Sequence, residues 1–127
     1  MTGAPPASRP PLVERLRQHT KSSACQTVLL CRELGQSLEA KVLAAQVLRS
    51  ATSVAANYRA VCRARSRRDF IAKLGVVIEE ADETSLWLEL IEGTGLASRE
   101  RVAPLLSAFR ELIAILVTSQ RTARRGS

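Results

Sequence analysis

From Leu12 onward, apolar and small residues recur every three or four positions: Val13, Leu16, Thr20, Ala24, Thr27, Cys31 and Leu34. That is the period of one face of an α-helix. Gly35 supplies the residue that most readily closes a helix C-terminus. Ser37 then offers an N-cap, with Glu39 in the first turn opposing the positive end of the helix dipole. The second segment carries two apolar stripes. Val42, Ala45, Leu48, Thr52, Ala55 and Ala56 form the one expected to face the core; Leu43, Val47, Ala51, Val54 and Tyr58 form the other. A helix apolar on two sides is usually buried on two sides, so the second stripe predicts contact with another chain. Ser66, followed three residues later by Asp69, opens a third helix with a capping box in which Asp replaces Glu. Its stripe runs Phe70, Leu74, Val77, Ile78, Ala81, Ser85 and Leu88, and Gly93 and Gly95 mark its end. Ser98 caps a fourth helix, with Val102, Leu105, Leu106, Phe109, Leu112, Ile113 and Leu116 as the cleanest stripe in the chain. Pro104 costs little there if it lies within about the first turn.

No alternating strand pattern of useful length is present. Long helices joined by connections of roughly two to five residues pack as antiparallel neighbours. The expected fold is all-α, an up-down-up-down four-helix bundle over residues 12–122. A flexible lead with four prolines precedes it at 1–11, and a basic tail follows at 123–127. The 127 residues suit a single domain, and with only 3% aromatics the core must be built from Leu, Val, Ile and Ala. Asn57 is a poor mid-helix residue. Its amide is expected to hydrogen-bond across to another helix near Ser53 or Arg59.

This topology changes the meaning of the net charge of +7, which comes from 16 Arg and 3 Lys against 12 acidic residues. It gathers both termini and the connection between helices two and three at one end. Arg9, Arg15, Arg17, Lys21, Arg59, Arg63, Arg65, Arg67, Arg68, Arg121, Arg124 and Arg125 then share that end with only Glu14 and Asp69. The middle and the far end are slightly acidic. An Arg-rich surface is the electrostatic footprint of phosphate binding, because each guanidinium can hold a phosphate through two parallel donors. The expected contacts to nucleic acid, RNA or DNA, are Arg59, Arg63, Arg65, Arg67, Arg68, Arg121, Arg124 and Arg125. Base-specific reading has little support, since Tyr58 is the one aromatic near this end. The alternative is a structural adaptor that holds a protein partner and ignores nucleic acid.

Other chemistries lack their residues. Cys25, Cys31 and Cys62 show no C-x-x-C spacing and are expected to be reduced, buried thiols. With His19 the only histidine, they do not supply the four ligands of a zinc site. The acidic run Glu79, Glu80, Asp82 and Glu83 has no accompanying Glu-x-x-His, and is expected to be solvated or paired with arginine. No nucleophile–base constellation is recognisable, so neither catalysis, nor a metal, nor a cofactor is expected. Prolines at 5, 6, 10 and 11 interrupt any leader-like start, and no apolar run approaches the ~20 residues of a membrane span. A cytoplasmic, non-membrane protein is expected.

The stretch Gln46 to Leu90 is also a recognisable pattern. Gln46-Val47-Leu48-Arg49-Ser50, Ser53-Val54-Ala55-Ala56-Asn57-Tyr58-Arg59-Ala60 and Arg63-Ala64-Arg65-Ser66 are followed by Asp69-Phe70-Ile71-Ala72-Lys73-Leu74, Glu79-Glu80-Ala81-Asp82-Glu83-Thr84 and Trp87-Leu88-Glu89. With this spacing, residues 12–120 resemble the four-helix bundle protein family, also called the ribosomal-RNA intervening-sequence protein family. Many members follow the Asn with a small–Glu–Gly ending. Here Asn57 leads into Tyr58-Arg59-Ala60-Val61, which looks like an Arg-rich branch, and any role of that Glu does not transfer. The resemblance implies a homopentameric ring with Leu43, Val47, Val54, Tyr58, Leu86, Trp87 and Leu90 at the subunit interface. Relatives include proteins encoded within rRNA intervening sequences. They also include accessory subunits of diversity-generating retroelements, which bind nucleic acid and a reverse transcriptase. The implied role is that of an oligomeric accessory factor.

Overall fold

Three serines set where the helices begin. In a computed structural model describing residues 11–126, Ser37 Oγ accepts from the Ala40 amide at 3.2 Å, Ser66 Oγ from Asp69 at 3.0 Å and Ser98 Oγ from Arg101 at 3.2 Å. Each bond satisfies one of the amides that a helix start leaves without an internal partner. The helices are α1 (Leu12–Arg32), α2 (Leu38–Val61), α3 (Arg67–Gly93) and α4 (Arg99–Arg125), with no strand among the described residues. α4 thus continues three residues into the segment expected as a tail. Gly35 and Gly95 carry positive φ values of 87° and 76° in the first and third connections, a conformation other residues adopt only with strain. At α3 the capping box is altered. The Asp69 carboxylate accepts from the amide of Arg65, one residue before the cap, at 3.1 Å.

α2 packs on α1 and α3, α4 packs on α3, and a sparser seam between α4 and α1 closes the bundle. No Cα atoms of the diagonal pairs α1–α3 and α2–α4 come within 8 Å of each other. The core is aliphatic, with Leu30, Val47, Val54, Leu74, Val77, Leu88, Ile91, Leu112 and Leu116 fully buried around Phe109. Buried hydroxyls are satisfied locally or in pairs. Thr27 donates to the Ser23 carbonyl at 2.8 Å, and Thr84 Oγ1 lies 2.8 Å from Ser50 Oγ, joining α2 to α3. Among the described residues no buried side-chain polar atom lacks a partner, as a well-ordered core requires.

The structure reverses the two faces of α2. Val47, Ala51 and Val54 are completely buried and Tyr58 is 3% exposed, so Val47, Val54 and Tyr58 form the protomer's own core and are no subunit interface. Val42, Ala45, Thr52 and Ala56 face outward instead. The physical reason is charge. Arg49, Arg59 and Arg63 fall on the same heptad positions as Val42, Ala45, Thr52 and Ala56, and that stripe cannot enter the core without burying unpaired guanidinium groups. Asn57 also departs from expectation. Its half-buried amide bonds back along its own helix, to the Ser53 carbonyl at 2.9 Å and Ser53 Oγ at 2.7 Å, and does not cross to another helix.

Of the three free cysteines, Cys25 is exposed, while Cys31 and Cys62 are half-buried; none is a fully buried thiol. Burial pushes the Cys31 thiol up to about 11, so it remains protonated near neutrality. Pro104 is the sixth residue of α4, beyond the first turn, but it lies on the exposed face where the freed Glu100 carbonyl can meet water. α4 contains a segment long and apolar enough to cross a membrane, more than the sequence suggested. Arg110 and Glu111 stand in its middle, and its apolar face, from Val102 to Leu116, fills the bundle core.

Candidate nucleic-acid interface

Antiparallel packing brings the start of α1, the end of α2, the start of α3 and the end of α4 to one end of the bundle. Two contacts mark the closure there. Arg67 donates to the Gly126 carbonyl, and Gln120 Nε2 donates to the Ile71 carbonyl at 3.1 Å. Among the described residues two carboxylates are paired with cations at this end, and a third, Glu111, shares a depression with Leu12 and Arg15. Glu14 pairs with Arg17 at 3.1 Å, and Asp69 pairs with Lys73 at 2.6 Å. Among the described residues, Arg15, Lys21, Arg59, Arg63, Arg65, Arg67, Arg68, Arg121, Arg124 and Arg125 have no carboxylate within 4.0 Å. Arg9 lies outside the described residues.

Arg59 is the centre of the arrangement. A depression of about 650 Å³ on the α3 side of α2 is lined by Ala56, Arg59, Ala60, Arg63, Arg65, Asp69 and Lys73. A second, of about 360 Å³, on the α1 side is lined by Arg17, Thr20, Lys21, Ala55, Ala56 and Arg59. A third, of about 260 Å³, lies between Arg17, Arg59 and Arg63. The alanines keep the surface of α2 low, so the long cationic side chains around them reach a common space. Asp69 is the one carboxylate in this space. The Lys73 ammonium and the Arg65 amide hold its carboxyl below the usual carboxylate range, so it stays ionised and matched by its neighbour. On the inner side of α2, burial pushes the Tyr58 phenol up to about 12, and it remains neutral.

Arg59, Arg63 and Arg65 are therefore brought together as the sequence suggested. Arg17, Lys21 and Lys73 join them, and none was among the expected contacts. Arg17 and Lys21 come from α1, one turn apart on a helix distant in sequence, so only packing brings them beside Arg59. Arg67 is turned to the C-terminal segment, and Arg68 does not line these depressions. Arg121, Arg124 and Arg125 share the same end but sit on α4, diagonal to α2, and do not line these depressions.

The other half of the bundle is largely self-compensated. Arg49 of α2 bridges Glu80 at 3.0 Å and also Glu83 of α3, so part of the acidic run is spent on an interhelix pair. Arg101 pairs with Glu33 at 2.9 Å, and Arg110 with Glu89 at 2.9 Å. Val42 of α2 and Leu86 and Leu90 of α3 are 51%, 47% and 39% exposed. Leu43 and Trp87 are half-buried against the core, and the Trp87 indole donates to Glu83 at 3.3 Å. Among the described residues no three His, Cys, Asp or Glu side chains are grouped to hold a metal ion. His19 lies in a groove of about 490 Å³ at the α1–α4 seam, beside Ser22, Gln26, Pro104 and Leu105.

With this geometry established, likeness to known proteins is informative. Residues 15–118 match the family described as 23S rRNA-intervening sequence protein. No curated protein matches the chain. Among solved structures, the chain is similar to a protein of unknown function from the S23 ribosomal protein family of Bacteroides thetaiotaomicron. The two share 34% identity and a TM-score of 0.79, over 84% of this chain and 99% of the other.

Proposed function

This chain belongs to the 23S rRNA-intervening sequence protein family, and from that premise we propose that it is a non-enzymatic, oligomeric RNA-binding accessory protein that holds phosphates with the arginines around Arg59. One observation carries the proposal: six cations converge on α2, and of these Lys21, Arg59, Arg63 and Arg65 have no carboxylate within 4.0 Å among the described residues, while Arg17 and Lys73 are paired with Glu14 and Asp69. A solvated surface that served only solubility would interleave the two signs, as the rest of the bundle does. The family takes its name from intervening sequences of 23S rRNA, which makes RNA the first polyanion to test. Binding would be tolerant of sequence, because phosphate contacts position a protein without reading bases.

The test is the salt dependence of affinity for a structured RNA. With four to six phosphates held, log K is expected to fall against log salt with a slope of about −3 to −5. A weak association that ignores salt between 50 and 200 mM would refute the proposal.

Exposed Val42, Leu86 and Leu90 support a subunit contact, with five subunits as the family resemblance implies. A ring would align several Arg59 clusters and multiply weak contacts through avidity. The combined substitution Val42→Glu and Leu86→Glu is expected to convert the oligomer to monomers in native mass measurement without loss of helical content. A wild-type protein that is monomeric at micromolar concentration would remove this part.

A further inference from the structure

We infer that Asp69 makes this surface select RNA over DNA, its uncommitted carboxylate oxygen accepting from the 2′-hydroxyl of a ribose whose phosphates the arginines hold. This deepens the preceding proposal and rests on it. The largest depression beside α2 is lined by Arg59, Arg63, Arg65 and Lys73, and by one group of the wrong sign for a phosphate, Asp69. The two oxygens of Asp69 are used unequally. Oδ2 accepts from the Arg65 amide at 3.1 Å and from the Lys73 ammonium at 2.6 Å, which serves both the cap of α3 and an ion pair. Among the described residues no hydrogen bond ends on Oδ1. The side chain is 32% exposed, so a ligand in the depression can reach it. The Arg63 and Arg65 guanidinium groups have no carboxylate within 4.0 Å and leave that oxygen unclaimed.

An ionised carboxylate can only accept, so whatever meets Oδ1 has to donate. Lys73 and the Arg65 amide keep Asp69 in that ionised form. Phosphodiester oxygens carry no proton, and a deoxyribose has no hydroxyl beside its phosphate. Ribose places its 2′-hydroxyl on the carbon next to the one that bears the 3′ phosphate, and this group donates. A carboxylate set among cations therefore repeats the alternation of the RNA backbone, with phosphates against arginine and the hydroxyl against the acceptor between them. Ala56 and Ala60 line the same depression, and their single methyl groups leave room for a sugar ring. Against DNA the same oxygen repels the phosphates with no donor to offset it. Asp69 thus discriminates by a penalty as well as by a bond. Base amino groups also donate, but they are shared by RNA and DNA and would give no preference between the two.

The experiment measures the affinity of the full chain, at matched salt, for three strands. They are a mixed-sequence RNA of about 16 nucleotides, the DNA of the same sequence, and the RNA with 2′-O-methyl ribose, which keeps the RNA sugar shape but has no proton to give. The RNA is expected to bind about tenfold tighter than either of the others, the effect of one hydrogen bond to a charged group. Asp69→Asn keeps an oxygen for the Arg65 amide but loses the charge, and should leave a preference of about threefold or less. Asp69→Ala is expected to bind all three strands alike. Loss of the helix cap would weaken every strand equally, so the ratio of affinities, and neither affinity alone, reads the hydroxyl contact. Circular dichroism would verify that both variants fold. Equal native affinity for RNA and DNA, RNA and its 2′-O-methyl form bound alike, or a preference that persists in Asp69→Ala would each overturn the 2′-hydroxyl contact while leaving phosphate binding intact. Failure to bind all three strands would overturn both.

Discussion

An Arg59→Glu, Arg63→Glu variant is expected to bind structured RNA at least about 100-fold more weakly than the native protein. Arg59 lines all three depressions around α2, and Arg63 lines two of them. A hydrogen bond to a charged group contributes about 1.5–3 kcal/mol, so losing two such contacts already spans roughly two to four orders of magnitude. The introduced carboxylates would add repulsion and disturb the local match between Asp69 and Lys73. Arg59 lies in the last turn of α2, where a basic residue is favoured by the helix dipole, so the reversal carries a stability cost of about 0.3–1 kcal/mol. An Arg59→Gln, Arg63→Gln variant removes charge with a smaller helix penalty and should lose roughly half as many decades. Arg124→Glu with Arg125→Glu, on the diagonal helix, should weaken binding less. Equal losses in the two arginine pairs would argue for a diffuse field instead of a localised surface.

Replacing Phe109 with alanine is expected to destabilise the fold by about 3–5 kcal/mol, the range for deleting a buried aromatic ring. Among the described residues the side chain is 0% exposed and is the largest fully buried one, in a core that apart from Tyr58 is made of Leu, Val, Ile and Ala. Small neighbours on rigid helices can close little of the cavity. Against a typical total stability of about 5–15 kcal/mol, this loss should lower the melting midpoint by about 10–20 °C for a domain of this size. Phe109→Leu keeps most of the volume and should cost roughly half or less. Measurement belongs at one fixed protein concentration, because association shifts apparent stability by mass action. An unchanged midpoint for the alanine variant would show that the ring is not what holds α4 to its neighbours.

The element boundaries were legible because they are local chemistry. Ser37, Ser66 and Ser98 cap the starts, while Gly35 and Gly95 sit in the turns that need positive φ. Which side of α2 faces inward was misjudged by counting apolar residues alone. Arg49 carried the missing information, since it shares the register of Val42 and Ala56 and holds that stripe at the surface. Arg59, Arg63 and Arg65 were legible as a cluster because one seven-residue span contains them. Arg17 and Lys21 were assigned to the same end but not to Arg59's side, because their nearness to it depends on how α1 packs against α2. Topology placed the α4 arginines at the same end, and the structure shows that they do not line the depressions around Arg59.

The sparse α1–α4 seam carries a consequence for motion. Ser22 and Ser23 on one wall and Pro104 and Ala108 on the other offer little apolar area to hold the two helices together. Segments with few buried contacts open first and most often, so α1 amides should exchange with solvent ahead of those in the α2–α3 hairpin. Each such opening would carry Arg17 and Lys21 away while Arg63, Arg65 and Lys73 stayed in place. The basic surface would then breathe between a full and a half complement of cations, and a bound polyanion would act as the clasp that keeps α1 shut.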